Sequence, residues 1–488
     1  VSTSFATALL DAGEMGEADR LTVDAGTSVV RLMENAGRGV AEEVIRRWSP
    51  RRVTVLCGPG SNGGDGFVAA RELASAGWNV RLALLGDVAR LPGAARYHAE
   101  KWRSEIEVLA PAAVVSAELI IDAIFGAGLN RPLAGAAKET LAAVAALAIP
   151  IVAVDIPSGV QGDTGENLGA VAAVLTVTCF RKKPGHLLFP GRALSGVVVV
   201  TDIGTPPAVL DEIAPKTFEN DPRLWRGALP RSAQTGNKYT RGHALLVGGY
   251  PMTGAARMAA RAAARVGAGL TTIAVPEVAL PIYATALTSI MVQPLTAAED
   301  FDALSADRRI TGFLIGPGAG VTETTRARTL ALLRTRRATL IDADAITAFE
   351  HEPDSLMTAI EGPCVMTPHE GEFARVFDSS GDKLTRTRRA AARSRAIIVL
   401  KGGDTVIAAP DGRAIINANA PPSLATAGSG DVLSGLVLGL LTQGMDPFLA
   451  AAAAVWLHGA AAAAFGPGLL AEDLPDLLPG VLKRLAAD

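Results

Sequence analysis

Short β-branched and apolar runs alternate with apolar positions at helical spacing along most of the chain. In the first half, residues 53–56, 80–85, 119–123, 151–154 and 175–180 read as strands. Residues 67–76 and 136–148 read as helices between them, and 30–46 as a leading helix. Strand, crossover helix and strand in repetition predict a parallel sheet covered on both faces. The pattern changes over 201–230, where prolines at 206, 207, 215, 222 and 230 sit among mixed charges. That change predicts a domain junction near residue 220. The alternation then restarts, with strands at 244–247, 271–275, 312–315, 339–341, 364–366 and 397–400 and helices at 254–267 and 432–443. A chain of 488 residues exceeds one ordinary core, so two α/β domains are expected, 1–219 and 220–488.

Composition adds little to that frame and excludes much. Hydrophobic residues make up 49% and charged residues 19%, a globular balance. With 46 basic and 49 acidic residues the net charge is −3, so no nucleic acid and no membrane surface is expected as a partner. The densest basic patch, Arg386, Arg388, Arg389, Arg393 and Arg395, has helical spacing and reads as a solvated face. Cys57, Cys179 and Cys364 are far apart and odd in number, which predicts a reducing, cytoplasmic setting. The opening Val1-Ser2-Thr3 predicts no leader. The apolar stretches 432–441 and 449–465 are interrupted by Gly435, Gly439, His458 and Gly459 and read as buried helices. Their alanines suit a core or an oligomer face, and a homo-oligomer is expected.

The most informative segment of the second half is Thr426-Ala427-Gly428-Ser429-Gly430-Asp431, running into the helix at 432–443. Glycines let the backbone approach a phosphate, and a helix N-terminus offers it unpaired N–H groups. An aspartate there either caps the helix or takes a proton from an attacking hydroxyl. Other loops also follow strands: Gly316-Pro317-Gly318-Ala319-Gly320, Asp342-Ala343-Asp344, Thr367-Pro368-His369 with Glu372, and Lys401-Gly402-Gly403-Asp404-Thr405. In open α/β sheets such loops gather at the carboxyl edge. Glu372 is a candidate to support a metal ion from behind its ligands, the plainer reading being a solvated carboxylate; Asp342 and Asp344 read as capping or supporting acids.

These motifs resemble the ribokinase-like superfamily and, within it, its NAD(P)HX dehydratase branch. Lys238-Tyr239-x-Arg241-Gly242-His243, the helix start at Gly254-Ala255-Ala256 and the loops above occur in that family's order over about residues 225–485. The resemblance implies that Gly430 and Lys401, Gly402, Gly403, Asp404 and Thr405 hold an adenine nucleotide. It implies Asp431 as catalytic carboxylate, with Ala255 or Ala256, Gly318 and His369 lining the pocket for a hydrated dihydropyridine. It further implies Mg²⁺ on the phosphates and ADP as co-substrate, with ATP left open.

In the first half, Ser61-Asn62-Gly63-Gly64-Asp65-Gly66 lies between a strand and a helix as a cradle for a diphosphate. Asp122 leads to Gly126-Ala127-Gly128-Leu129-Asn130-Arg131-Pro132, and Asp155 to Ile156-Pro157-Ser158-Gly159. Oxygen ligands without thiolate or imidazole suit a hard cation. With Leu32-Met33-Glu34-Asn35-Ala36-Gly37 and Lys182-Lys183-Pro184-Gly185, these resemble the NAD(P)HX epimerase domain over about residues 5–215. The resemblance implies a Rossmann-like three-layer sandwich, followed by the ribokinase-like α/β domain, as in bifunctional NAD(P)HX repair enzymes. Ser61, Asn62, Gly63, Gly64 and Asp65 with residues 126–132 would bind diphosphate and ribose. Potassium would be held by Asn62, Asp122 and Ser158, and Asp155 would sit against the ring. The substrates implied are NADHX and NADPHX. The family's usual Asn at position 61 is serine here, which puts affinity in doubt. Lys183, one of a Lys-Lys pair, reads as surface charge.

Two other classes stay open on the residues alone. A ribokinase-like kinase of a vitamin precursor, with a dinucleotide-sensing N-terminal domain, would use the same Gly428–Asp431 turn. A binding module without turnover would need neither Asp155 nor Asp431.

Overall fold

The computed structural model describes residues 3–231 and 235–487; Val1 and Ser2, on which the reading of the chain start rested, lie outside them. The chain divides into two compact units, Val1–Thr217 and Phe218–Asp488.

In the first unit the strands are β1 (Arg52–Cys57), β2 (Asn79–Leu84), β3 (Glu107–Val108), β4 (Leu119–Ala123), β5 (Ile151–Val154), β6 (Leu175–Cys179) and β7 (Val197–Thr201). They form one parallel sheet in the order β3-β2-β1-β4-β5-β6-β7. The order reverses between β1 and β4, the place where an open parallel sheet splays its loops apart. Helices Val29–Arg47 and Ser61–Ser75 cover one face through Val40, Val44, Phe67 and Leu73. Helix Gly135–Ala146 covers the other through Ala137, Leu141 and Val144.

The helix predicted at 67–76 begins six residues earlier, at Ser61, so the glycine-rich run is not a loop. Its glycines serve packing. A Cβ on Gly63 would stand 1.9 Å from the Gly58 carbonyl oxygen, and one on Gly64 would stand 2.3 Å from Met33 Sδ. Glycine is required there because the first helical turn folds back onto the strand end.

The second unit contains β8 (Thr217–Glu219), β9 (His243–Val247), β10 (Leu270–Pro276), β11 (Met291–Leu295), β12 (Gly312–Ile315), β13 (Ala338–Ile341), β14 (Cys364–Met366), β15 (Ile397–Leu400), β16 (Val406–Ala408) and β17 (Ala414–Ile416). Their order is β11-β10-β9-β12-β13-β14-β15-β16-β17-β8. β11 through β15 in that order pair in parallel, and β15-β16-β17 is antiparallel. Residues 201–230 read as a junction, yet part of them is core of this unit. Asn220 is buried and donates to Asn417 Oδ1 and the Ala452 carbonyl, and it accepts from Nε1 of the fully buried Trp225.

The alanine-rich helices Thr253–Arg265 and Pro447–Phe465 and the leucine- and glycine-rich helix Ser429–Thr442 pack in the same core cluster. A Cβ on Gly435 would meet the Ala259 carbonyl oxygen at 2.1 Å, so small residues set how closely two of these helices approach. Pro447–Phe465 is long and apolar enough to cross a membrane, but 67% of its apolar window is buried inside the unit, as for a core helix. The helix expected at 432–443 begins at Ser429, which places Gly430 and Asp431 inside its first turn. The arginines of helix Lys383–Ser394 pair outward: Arg386 with Glu370, Arg389 with Asp378 and Arg393 with Asp354.

Candidate active sites

At the reversal point of the first sheet lies a pocket of about 670 Å³. Ser61, Asn62, Asp65, the stretch Gly126 to Arg131 and Asp155 all line it. Gly63, Gly64 and Pro132, expected to bind substrate, do not line it; the two glycines are buried in helix packing and Pro132 is exposed.

Asp155 follows β5 with φ 67°, a left-handed conformation that only a few residue types accept readily. Its carboxylate is held on both oxygens. Oδ2 accepts from Ala127 N at 2.9 Å, and Oδ1 accepts from Thr178 Oγ1 at 3.0 Å and Lys183 Nζ at 2.5 Å. Lys183 is therefore not surface charge: it is 2% exposed, and its ammonium also donates to Thr178 Oγ1 at 2.8 Å. Burial alone would raise the Asp155 pKa, but Lys183 and the Ala127 N–H overcome it and hold the carboxyl at about 2.

His186 fixes the same corner. Its Nδ1 accepts from Lys183 N at 2.9 Å, and its Nε2 meets the Asp155 carbonyl at 2.8 Å, so Nε2 carries the proton. Burial, then the Lys183 charge, push its pKa down to about 4. Asp65 is driven the opposite way from Asp155: burial first, then the neighbouring Asp155 and Asp19 charges, raise its carboxyl well above the usual range. In this pocket Lys183 favours the charged form of Asp155, whereas burial, foremost, favours the protonated forms of Asp65 and Asp19.

Beside the pocket, Asp122 is buried with its carboxylate turned onto Ser158. Oδ1 accepts from Ser158 Oγ at 2.6 Å and Oδ2 from Ser158 N at 2.8 Å, and Ser158 Oγ in turn accepts from Phe125 N at 2.8 Å. Burial raises the Asp122 pKa, and these hydrogen bonds lower it only in part. Asn62 Nδ2 is buried without a hydrogen-bond partner. Oxygen donors around a carboxylate with no basic partner suit a hard monovalent cation. Among the described residues no group of three or more His, Cys, Asp or Glu side chains is arranged to hold a metal ion.

In the second unit, Gly428 takes φ 85° as N-cap of helix Ser429–Thr442. The N–H groups of Gly430 and Asp431 in its first turn have no backbone partner, which leaves them for an anion. Asp431 is raised to about 7, by burial first and then by Asp342, with Lys401 opposing. Gly318 comes near from the Gly316–Gly320 loop: a Cβ there would stand 3.5 Å from Ala255 Cβ, whereas Ala256 is 1% exposed in the core. That contact sets Ala255, rather than Ala256, against the Gly316–Gly320 loop. Asp344 Oδ2 accepts from Gly320 N at 2.8 Å and shapes the loop.

Several of the residues expected at the nucleotide and the ring also have structural partners. His369 caps helix Glu370–Val376: its Nδ1 accepts from Gly371 N and Glu372 N, while Glu372 Oε2 accepts from His369 N. Glu372 is 8% exposed, not solvated. In the loop after β15, Gly402 and Gly403 are exposed, whereas Asp404 is buried on Lys383 Nζ at 2.6 Å. Thr405 Oγ1 closes the turn onto Gly402, and Lys401 turns inward onto Asp342. Sequence reasoning undervalued Lys183 and missed His186 and Asp19 in the first unit. The KKPGH run (182–186) carries the first two, and nothing near Asp19 marks it.

A family profile described as NAD(P)H-hydrate dehydratase matches residues 244–479, and one described as the YjeF-related protein N-terminus matches residues 29–185. The chain is 38% identical to a protein of Moorella thermoacetica, covering 98% of this chain and 97% of that one. It is 37% identical to one of Salinibacter ruber, covering 97% and 96%. Both are named bifunctional NAD(P)H-hydrate repair enzyme. A solved ribokinase-like superfamily protein from Enterococcus faecalis is 26% identical, with TM-score 0.50, covering 55% of this chain and 96% of its own.

Proposed function

The chain belongs to the family of bifunctional NAD(P)H-hydrate repair enzymes, and on that footing we propose that its first unit interconverts the epimers of NADHX and NADPHX while its second dehydrates the S epimer. The supporting observation is that each unit brings an aspartate to the carboxyl edge of its own sheet, Asp155 against the Lys183 ammonium at 2.5 Å and Asp431 in the first turn of helix Ser429–Thr442.

In the first unit, the N-terminal turn of helix Ser61–Ser75 and the Gly126–Arg131 loop receive the diphosphate and ribose. Asn62, Asp122 and Ser158 hold a potassium ion, which offsets the buried Asp122 charge. Epimerisation requires the ring carbon bearing the hydroxyl to become planar. The ring nitrogen lone pair expels the hydroxyl as water when an acid supplies a proton, and water returns to the other face. Protonated Asp65 is the acid, and ionised Asp155, held by Lys183, takes a proton from the incoming water.

In the second unit, Asp431 accepts the proton of the substrate hydroxyl as its oxygen attacks the terminal phosphorus of ADP and AMP leaves. The ring nitrogen then expels phosphate, and loss of a proton from the adjacent carbon restores the dihydropyridine. The Gly430 and Asp431 N–H groups, with the exposed backbone of Gly402 and Gly403, face the nucleotide phosphates; Ala255 and Gly318 flank the ring. Mg²⁺ brought in with the nucleotide would neutralise charge on the phosphates. Purified S-NADHX incubated with ADP tests the dehydratase reading: dihydronicotinamide, AMP and phosphate appear in equal amounts, and no AMP would overturn the use of ADP.

A further inference from the structure

Beneath the Gly428–Asp431 turn, four elements bring polar side chains into one group. Asp342 follows β13 and is 1% exposed. Its Oδ1 accepts from Lys401 Nζ at 2.9 Å, and its Oδ2 accepts from Ser434 Oγ, in the second turn of helix Ser429–Thr442, at 2.6 Å. Glu372 Oε2 lies 3.7 Å from the same ammonium. A Cβ on Gly430 would stand 3.5 Å from Lys401 Nζ, with no other heavy atom within 4 Å. Glycine at 430 therefore leaves the ammonium against the turn that carries Asp431.

This arrangement differs from a nucleotide-binding lysine reaching outward. A buried cation kept by one carboxylate through a fixed hydrogen bond has little freedom to swing away. Ser434 occupies one Asp342 oxygen, so the other remains directed at Lys401. We propose that Lys401 and Asp342 are positioning residues of opposite effect on the Asp431 carboxylate: Lys401 favours its charged form, and Asp342 fixes that ammonium while its own charge favours the protonated form. The proposal rests on the reading of Asp431 as the base in dehydration.

Ser434, which holds Asp342, lies three residues after Asp431 on one face of the helix, and the groups whose charges act on Asp431 are Asp342 at the end of β13, Asp344 on the helix that follows it, Lys401 at the end of β15 and Glu372 on helix Glu370–Val376. His458 of helix Pro447–Phe465 lies near Ser429 at the start of the turn; burial keeps it neutral, with a pKa of about 4. Lys401 is the one cation in this set.

The test is the pH dependence of S-NADHX dehydration with ADP in the full chain, for wild type, Lys401→Met and Asp342→Asn. Because Asp431 must be ionised to accept the proton, turnover has an acid limb. Lys401→Met moves that limb up by roughly 1 pH unit or more, and Asp342→Asn moves it down. Glu372→Gln, which removes another carboxylate, moves it in the same direction as Asp342→Asn and replaces that variant if it does not fold. Limbs that stay in place while turnover falls, or that move the same way in Lys401→Met and Asp342→Asn, would overturn the proposal. Absence of turnover in the wild type at every pH would instead overturn the dehydratase reading beneath it.

Discussion

Lys183 places its ammonium 2.5 Å from Oδ1 of Asp155, with only 3% and 19% of the two side chains exposed. In a site that also contains Asp19 and Asp65, this pair decides which acid is charged. Lys183→Met should leave Asp155 buried without its cation and raise its pKa from about 2. Epimerisation, followed as conversion of R- to S-NADHX, should then fall by about 10²–10⁴-fold at neutral pH and recover partly as pH rises. Dehydration of S-NADHX by the same variant should be unchanged.

Asp122 is a buried carboxylate that accepts from the Ser158 hydroxyl and from the backbone N–H groups of Ser158 and Ile124. A bound potassium ion stabilises the folded state by mass action. Thermal melts of the full chain should show the epimerase unit rising in temperature with KCl relative to tetramethylammonium chloride, and Asp122→Asn should remove the difference. Equal melting in the two salts for the wild type would count against the site.

Gly63 and Gly60 lie three residues apart and respond differently to a methyl group. The Cβ of Gly63→Ala would press on the Gly58 backbone, whereas nothing lies within 4 Å of a Cβ at Gly60. Gly63→Ala should cost about 2–3 kcal/mol of stability, and Gly60→Ala should cost little. Chemical denaturation compares the two.

His186 is neutral in the folded state, with a pKa of about 4 against an ordinary 6.5. The unfolded chain binds that proton first, so the stability it contributes is full above 6.5 and lost as pH falls through 4. The first unit should melt progressively lower between pH 7 and pH 4, and His186→Gln should reduce that drop.

The alternation of strands and helices was legible in the sequence because both sheets are mainly parallel and buried, which writes strands as apolar runs. The loops at strand ends were legible for the same reason, and Asp155, Asp122 and Ser158 emerge from neighbouring strands as expected. Glycines misled at Ser61–Gly66, since a residue needed for close packing looks the same in sequence as one needed for a turn. Lys183, Asp342 and Glu372 were missed or undervalued because burial of a charge depends on partners 28 to 92 residues away. His369 was read as lining a substrate pocket; its Nδ1 also caps helix Glu370–Val376, a role that depends on the helix starting at the next residue.

The central claim is that one chain carries both repair activities. A mixture of R- and S-NADHX, incubated with the full chain, ADP, Mg²⁺ and potassium, reports both through the return of dihydronicotinamide absorbance. The account predicts recovery of nearly all the substrate, faster than spontaneous epimerisation allows, with Asp155→Asn leaving only the S fraction and Asp431→Asn leaving none. No recovery by the folded wild type with either ADP or ATP would contradict it.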